Sequence, residues 1–225
     1  MDADSGIVLS DVMVRYGRRV ALEAVTGEFL PGSMTAVVGA NGAGKSTLLA
    51  AIAGAVRLAS GTVRCPARSQ GRLAYLPQLT AIDRDYPLTV TELIALGNWR
   101  EFGAFRAAAS WSLVNAAAAT VGLTGRLGRR IGELSVGELQ RALFARLILQ
   151  DAAVILLDEP FAAVDAQTTS VLLDQIERWH QEGRTMIAVL HDLGRWRGDL
   201  PSRRRSVATW HRACTATGAG SAVLW

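Results

Sequence analysis

Nine residues constrain this chain more than any others: Gly39-Ala40-Asn41-Gly42-Ala43-Gly44-Lys45-Ser46-Thr47. They fit G-x-x-x-x-G-K-[ST], a loop whose backbone amides converge on phosphate oxygens. Such a loop needs a strand before it and a helix after it. The apolar run Met34 to Val38 predicts a buried strand, and Lys45 to Ala55, apolar at Leu48, Leu49 and Ile52, predicts a helix. The helix N-terminus adds the positive end of its dipole. Lys45 is placed to reach the β- and γ-phosphates, and the Ser46 hydroxyl to ligate Mg²⁺. Lys45 is also the only lysine in the chain, every other cationic side chain being arginine. Arginine serves for solvated charge, but its planar fork does not replace a compact ammonium inside a phosphate cradle.

With 225 residues, half of them hydrophobic, the chain can bury a sizeable core. The net charge of +4 is misleading as a guide to partners. Residues 200–225 hold Arg203, Arg204, Arg205 and Arg212 with no acidic residue, and the remainder is close to neutral, so no nucleic-acid partner is expected. Cys65 and Cys214 show no metal or redox spacing and are expected as free thiols. Met1-Asp2-Ala3-Asp4 is acidic where a signal peptide is basic, and no apolar run approaches the roughly 18 residues that cross a bilayer. A cytoplasmic location is expected, unless a partner holds the chain at a membrane.

Along the chain, Ile7 to Val14 and Val20 to Val25 read as a hairpin turned at Tyr16-Gly17-Arg18-Arg19. Thr62 to Arg64 and Leu73 to Leu76 read as further strands. Thr89-Val90-Thr91-Glu92 is a capping box opening a helix, and Ala107 to Val121 and Glu138 to Leu149 are also helical. Val154 to Leu157 and Thr185 to Leu190 return to the buried-strand pattern, with a helix between them over Thr168 to Trp179. The expectation is an α/β fold: a P-loop core with a mainly parallel sheet, an antiparallel N-terminal β subdomain and an inserted helical subdomain. Residues 1–78 and 151–193 form the nucleotide-binding core, 79–150 the helical subdomain, and 194–225 an atypical tail.

Two further stretches carry chemistry. Ile155-Leu156-Leu157-Asp158-Glu159-Pro160 is an apolar strand that delivers two carboxylates at its end. Downstream of a P-loop, Asp158 is placed to hold Mg²⁺ and Glu159 to polarise an attacking water. Leu134-Ser135-Val136-Gly137-Glu138-Leu139-Gln140-Arg141 opens a helix at Ser135. It satisfies an ordinary S-x-x-E cap, and it also offers a second anion site of hydroxyl and amides without a lysine.

Together these motifs resemble the ATP-binding-cassette (ABC) ATPases, whose signature is L-S-G-G-Q; Val136 stands at its first glycine and Glu138 at its glutamine. The resemblance runs nearly continuously from Ile7 to Leu193. It implies that Tyr16 stacks on adenine, that Gly39, Asn41, Gly42, Gly44, Lys45, Ser46 and Thr47 hold ATP, and that Gln78 senses Mg²⁺ and the attacking water. It further implies that Asp165 works across a dimer, that His191 contacts the γ-phosphate, and that Glu159 is the general base. Mg²⁺ would be held by Ser46, Gln78 and Asp158. Ser135, Gly137 and Glu138 of one copy would close over the ATP on the P-loop of another, giving a homodimer with two sandwiched nucleotides.

Ile82-Asp83-Arg84-Asp85-Tyr86-Pro87-Leu88-Thr89-Val90 and Leu93-Ile94-Ala95-Leu96-Gly97-Asn98-Trp99 resemble the zinc and manganese importer ATPases. That implies membrane-spanning permease subunits as partners, indirectly an extracellular solute-binding protein, and a place on the cytoplasmic face of the membrane. Iron–siderophore and haem importers share much of this stretch, and soluble ABC proteins form a further alternative. Trp99, Phe102 and Phe105 belong to a docking surface for the permease or to the subdomain core. After Leu193 the resemblance ends. The tail shows neither alternation nor helical periodicity. It is read as a divergent, poorly ordered extension, as the product of a reading frame displaced just past His191, or, more weakly, as a basic tail that binds nucleic acid. If the family's last elements are missing, one edge of the core sheet is expected to lie uncovered, with poor solubility and weak ATP turnover.

Overall fold

The computed structural model describes residues 5–98, 107–162, 164–190 and 205–209. They fall into two compact units. The first comprises Met1–Pro77, Ala153–Pro160 and Glu177–Trp225, the second Gln78–Ala152 and Phe161–Ile176.

The first unit holds both sheets. Strands β1 (Ile7–Tyr16), β2 (Arg19–Phe29) and β4 (Ser60–Arg64) form an antiparallel sheet in the order β2-β1-β4. β1 does not keep a clean alternation, because its register shifts between Leu9 and Val12, where Asp11 takes a φ of 47°. The bulge is tied down by Thr26, whose hydroxyl accepts from the Asp11 amide at 2.9 Å and donates to the Asp11 carboxylate at 3.1 Å. β3 (Met34–Val38), β5 (Leu73–Leu76), β6 (Val154–Asp158), β7 (Thr185–Val189) and β8 (Arg205–Thr209) form a second sheet, ordered β5-β6-β7-β3-β8, with parallel pairings throughout. Every residue of β6 and β7 is buried, as expected for inner strands of a parallel sheet covered on its faces.

The helix Lys45–Ala53 packs between the two sheets. Leu48, Leu49 and Ile52 share one apolar core with Ile7 and Leu9 of the antiparallel sheet and Leu156 and Ile187 of the parallel one. At roughly 1.5–3 kcal/mol per buried aliphatic side chain, this core fixes the helix that the P-loop opens. The helix is shorter than its apolar pattern suggested: Gly54 takes a left-handed cap, and Arg68 Nη1 donates to the Ile52 carbonyl at 3.1 Å.

The tail requires a correction. The segment Arg205–Thr209 carries no legible strand pattern, yet it is β8, paired with β3 from Met34↔Arg205 to Val38↔Thr209. The edge of β3 is therefore not bare. Parallel pairing asks for extended backbone with N–H and C=O groups to exchange, and it does not require alternating side chains.

The second unit is the helical insertion. Its helices are Val90–Ala95, Ala107–Thr120 and Val136–Gln150, with the first part of Ala166–Gln181. Both halves of the capping box at Thr89 are made: Thr89 Oγ1 accepts from the Glu92 amide at 3.2 Å, and the Glu92 carboxylate accepts from the Thr89 amide at 2.7 Å. Leu139, Leu143, Phe144 and Leu147 are buried along one helix, and Val114 and Ala118 along another. No helix among the described residues is long and apolar enough to cross a membrane.

Candidate nucleotide site

The P-loop is built by glycine at one decisive position. Gly44 sits at φ 96°, and a Cβ there would lie 2.5 Å from the Ala21 carbonyl oxygen and 2.9 Å from Leu22 Cδ2. The helix Lys45–Ala53 has no side-chain cap and no acidic residue in its first turn. Its first amides are thus left for an external acceptor, which is what a phosphate supplies. Lys45 is only 6% exposed, and its Nζ donates to the Gly39 carbonyl at 2.8 Å and the Ala40 carbonyl at 3.0 Å. These carbonyls hold an ammonium that burial would otherwise penalise. Asn41 and Gly42 are exposed on the loop.

β6 brings the first acidic residue to the same place. Asp158 is buried, and its Oδ1 accepts from the Ser46 hydroxyl at 3.1 Å. A carboxylate and a hydroxyl side by side are the hard oxygen donors that Mg²⁺ takes together with phosphate and water. The site thus fits both groups that the sequence implied. The next residue, Glu159, has a φ of 51°, and its amide donates to the Val189 carbonyl at 3.1 Å. A glutamate in the left-handed region costs about 1–3 kcal/mol, a strain that tends to gather where a side chain has to be aimed.

Tyr16 ends β1 with half its surface exposed, leaving a ring face for a planar ligand. Tyr75 of β5 is the more buried tyrosine. Burial first, then the Asp158 carboxylate and Tyr16, push its hydroxyl up to about 12. Arg19, read from the sequence only as part of a turn, is a residue that pattern analysis missed. Its Nη2 lies 3.7 Å from where a Cβ on Gly42 would sit, so a guanidinium stands beside the P-loop. No spacing rule marks it, because it reaches the loop from β2 through the tertiary fold.

The second unit holds a different set. Gln78 Oε1 accepts from Thr80 Oγ1 at 3.3 Å, at the start of a short 3₁₀ turn. Ser135 caps the helix Val136–Gln150: its Oγ accepts from the Glu138 amide at 3.2 Å, and Glu138 Oε2 accepts from the Ser135 amide at 2.9 Å. Glu138 Oε1 accepts from Arg126 Nε at 2.7 Å. Arg126 first, then the Ser135 amide, hold the Glu138 carboxyl down to about 2. Asp165 caps the next helix, accepting from the Thr168 amide at 2.7 Å and the Thr168 hydroxyl at 3.0 Å, which lowers its pKa. A Cβ on Gly137 would lie 3.8 Å from Asp165 Oδ2, so the signature turn and Asp165 are neighbours. The three Mg²⁺ candidates divide accordingly. Ser46 and Asp158 meet in the first unit, while Gln78 belongs to the second. His191, Trp99, Phe102, Phe105 and Cys214 lie outside the described residues.

A family model described as ABC transporter matches residues 22–162. The zinc transport system ATP-binding protein TroB of Treponema pallidum is 37% identical over 193 residues, covering 83% of this chain and 73% of its own. The manganese transport system ATP-binding protein MntA of Synechocystis is 37% identical over 196 residues, covering 83% and 75%. The chain belongs to the ABC transporter family, as an ATP-binding subunit. Among solved structures, a dimeric ATP-binding cassette bound to ADP and phosphate superposes with a TM-score of 0.79 at 20% identity, covering 92% of this chain and 94% of that one; this likeness concerns the fold. Within the ABC transporter family frame, Val136 is readily understood. It is the first residue of its helix, with no positive φ, and 38% of it is exposed. The backbone at that position places no demand for glycine.

Proposed function

We propose that this ABC subunit hydrolyses ATP to drive an importer for a divalent metal ion, zinc or manganese, acting as a pair of copies on the cytoplasmic face of the membrane. The observation that carries the reading is the Ser46–Asp158 pair beside an uncapped helix N-terminus and a buried lysine. The relatives' zinc and manganese systems support the choice of cargo. Permease subunits, with an extracellular solute-binding protein beyond them, are the partners this reading requires.

In this reading Gly39, Asn41, Gly42, Gly44 and Thr47 shape the phosphate cradle, and Lys45 exchanges its loop carbonyls for phosphate oxygens. Ser46 and Asp158 would hold the cation, and Gln78 keeps the Mg²⁺-sensing role that the resemblance implies. Mg²⁺ held there would supply the charge that neutralises a transferred phosphoryl group. Tyr16 stacks on the base. Glu159 takes the proton of the attacking water, and His191 orients the group under attack. Ser135, Gly137 and Glu138 of the second copy, with its Asp165, complete the site, so nucleotide binding drives association and hydrolysis releases it.

Replacing Glu159→Gln should cut ATP turnover by about 10²–10⁴-fold while ATP and Mg²⁺ accumulate a stable dimer in sedimentation. A variant that stays monomeric under those conditions sinks the dimer reading. Uptake of radioactive zinc and manganese by cells carrying the subunit with its neighbouring permease genes tests the cargo. Uptake of neither ion, beside uptake of an iron chelate, would overturn it.

A further inference from the structure

The signature end of the second unit places a negative charge where its role calls for an anion to bind. The helix Val136–Gln150 offers its first amides and its positive dipole end at Ser135. In the same turn stands Glu138, where the family pattern has a neutral glutamine. An ionised carboxylate there suits the helix, since it complements the dipole. For a polyphosphate approaching those amides, it is a like charge within about one helical turn, roughly 5 Å. The Glu138 carboxyl stays ionised at neutral pH, so protonation does not remove the conflict.

The side-chain geometry shows how the conflict is relieved. Both carboxylate oxygens are occupied: Oε2 accepts from the Ser135 amide at 2.9 Å and Oε1 from Arg126 Nε at 2.7 Å. Glu138 is mostly covered, its side chain 15% exposed, whereas the Arg126 side chain is 42% exposed. The Ser135 hydroxyl accepts from the Glu138 amide at 3.2 Å.

We infer that Arg126 is a positioning residue for the second phosphate site, one that locks the Glu138 carboxylate into the helix cap and cancels its charge, so that the Ser135 end meets the nucleotide of another copy without the repulsion of an uncompensated Glu138. The inference rests on the reading above, in which the signature of one copy closes over ATP held by the other. As a stabilising ion pair on a partly exposed surface, the contact would contribute little. Its value lies in what the field of an unpaired carboxylate would do to an incoming anion.

The test uses the full chain in the Glu159→Gln background, with sedimentation measuring the ATP concentration for half-maximal dimer at constant Mg²⁺. Arg126→Gln should raise that concentration roughly tenfold, with the melting temperature close to that of the parent. The defect should shrink as salt rises from about 0.05 to 0.5 M. Adding Glu138→Gln to Arg126→Gln removes the uncompensated charge, and the double variant should dimerise as Glu138→Gln alone does. A purely structural role for Arg126 predicts the opposite, a defect that persists in the double variant. An Arg126→Gln protein that dimerises like its parent, or a defect that Glu138→Gln does not repair, overturns the inference. A parent that stays monomeric with ATP overturns the two-copy reading and this inference with it. A dimerising parent beside an indifferent Arg126 variant overturns this inference alone.

Discussion

The P-loop and the signature turn are both helix N-termini suited to phosphate, and they reach that state by opposite means. At the P-loop the cap is a glycine with no side-chain bond, the first turn holds no acid, and the charge comes from a lysine buried against loop carbonyls. At the signature the cap is complete. Ser135 and Glu138 close a capping box, and Arg126 answers the acid it contains. The first end leaves its amides open and depends on its ligand. The second satisfies part of its own backbone and offers what remains, which suits a surface that meets its ligand only when another copy arrives. Glycine shows the same contrast. Gly44 is demanded by the fold, its absent Cβ making room for β2, whereas Gly137 has ordinary space around it and no positive φ.

Substitution tests this contrast. Gly44→Ala forces a methyl group against the Ala21 carbonyl in a left-handed backbone; we expect a loss of about 3 kcal/mol or more in denaturant unfolding and nucleotide binding weakened beyond detection. A stable Gly44→Ala protein that binds a fluorescent ATP analogue would erase the distinction between the two ends. Gly137→Ala should leave unfolding unchanged or improve it by up to about 1 kcal/mol, the helix-propensity difference, while ATP-driven dimerisation weakens several-fold because the added methyl crowds the approach. A fall in stability beyond about 2 kcal/mol would show Gly137 to be structural after all. Arg19→Ala should weaken ATP binding by up to about fivefold without moving the melt, the range for an ion pair at an exposed, salt-screened site. Isothermal titration at two salt concentrations checks it, and an unchanged affinity would return Arg19 to the surface.

The smallest effect concerns acid. Glu138 has a folded pKa of about 2 against an ordinary 4.5. A depressed carboxylate stabilises the fold above its ordinary value, and that contribution declines as pH falls from about 4.5 and is gone near 2. Glu92 and Asp165, also lowered by their caps, act in the same direction. The melting temperature of the parent should therefore drop more between pH 5 and pH 3 than that of Glu138→Gln. Equal drops would mean that the carboxylate gains nothing from its cap.

Much of this was legible in the residues because it rests on local rules. The apolar run Met34–Val38 before the glycine loop became β3, Thr89 and Ser135 both cap the helices they were read to open, and β6 delivers its two acids at its end. Helix lengths were less legible, since the helix after the P-loop stops at Gly54, held there by Arg68 from a separate element. β8 was invisible, because a strand added in parallel to a sheet edge is specified by the backbone of its neighbour, and its own side-chain pattern carries no period to detect.

What the sequence determined by itself was the chemistry on offer: a single lysine in a glycine loop, paired acids after a buried strand, and a serine-capped signature. Each is encoded within a few residues, where propensity, capping and motif spacing act. The tertiary structure decided which groups meet. It placed Ser46 against Asp158, set Arg19 beside Gly42, gathered Gly137 with Asp165, and gave Glu138 its arginine. Those pairings span from 12 to more than 100 residues of chain. No local period reports them, because they are fixed by the packing of the core that carries the loops.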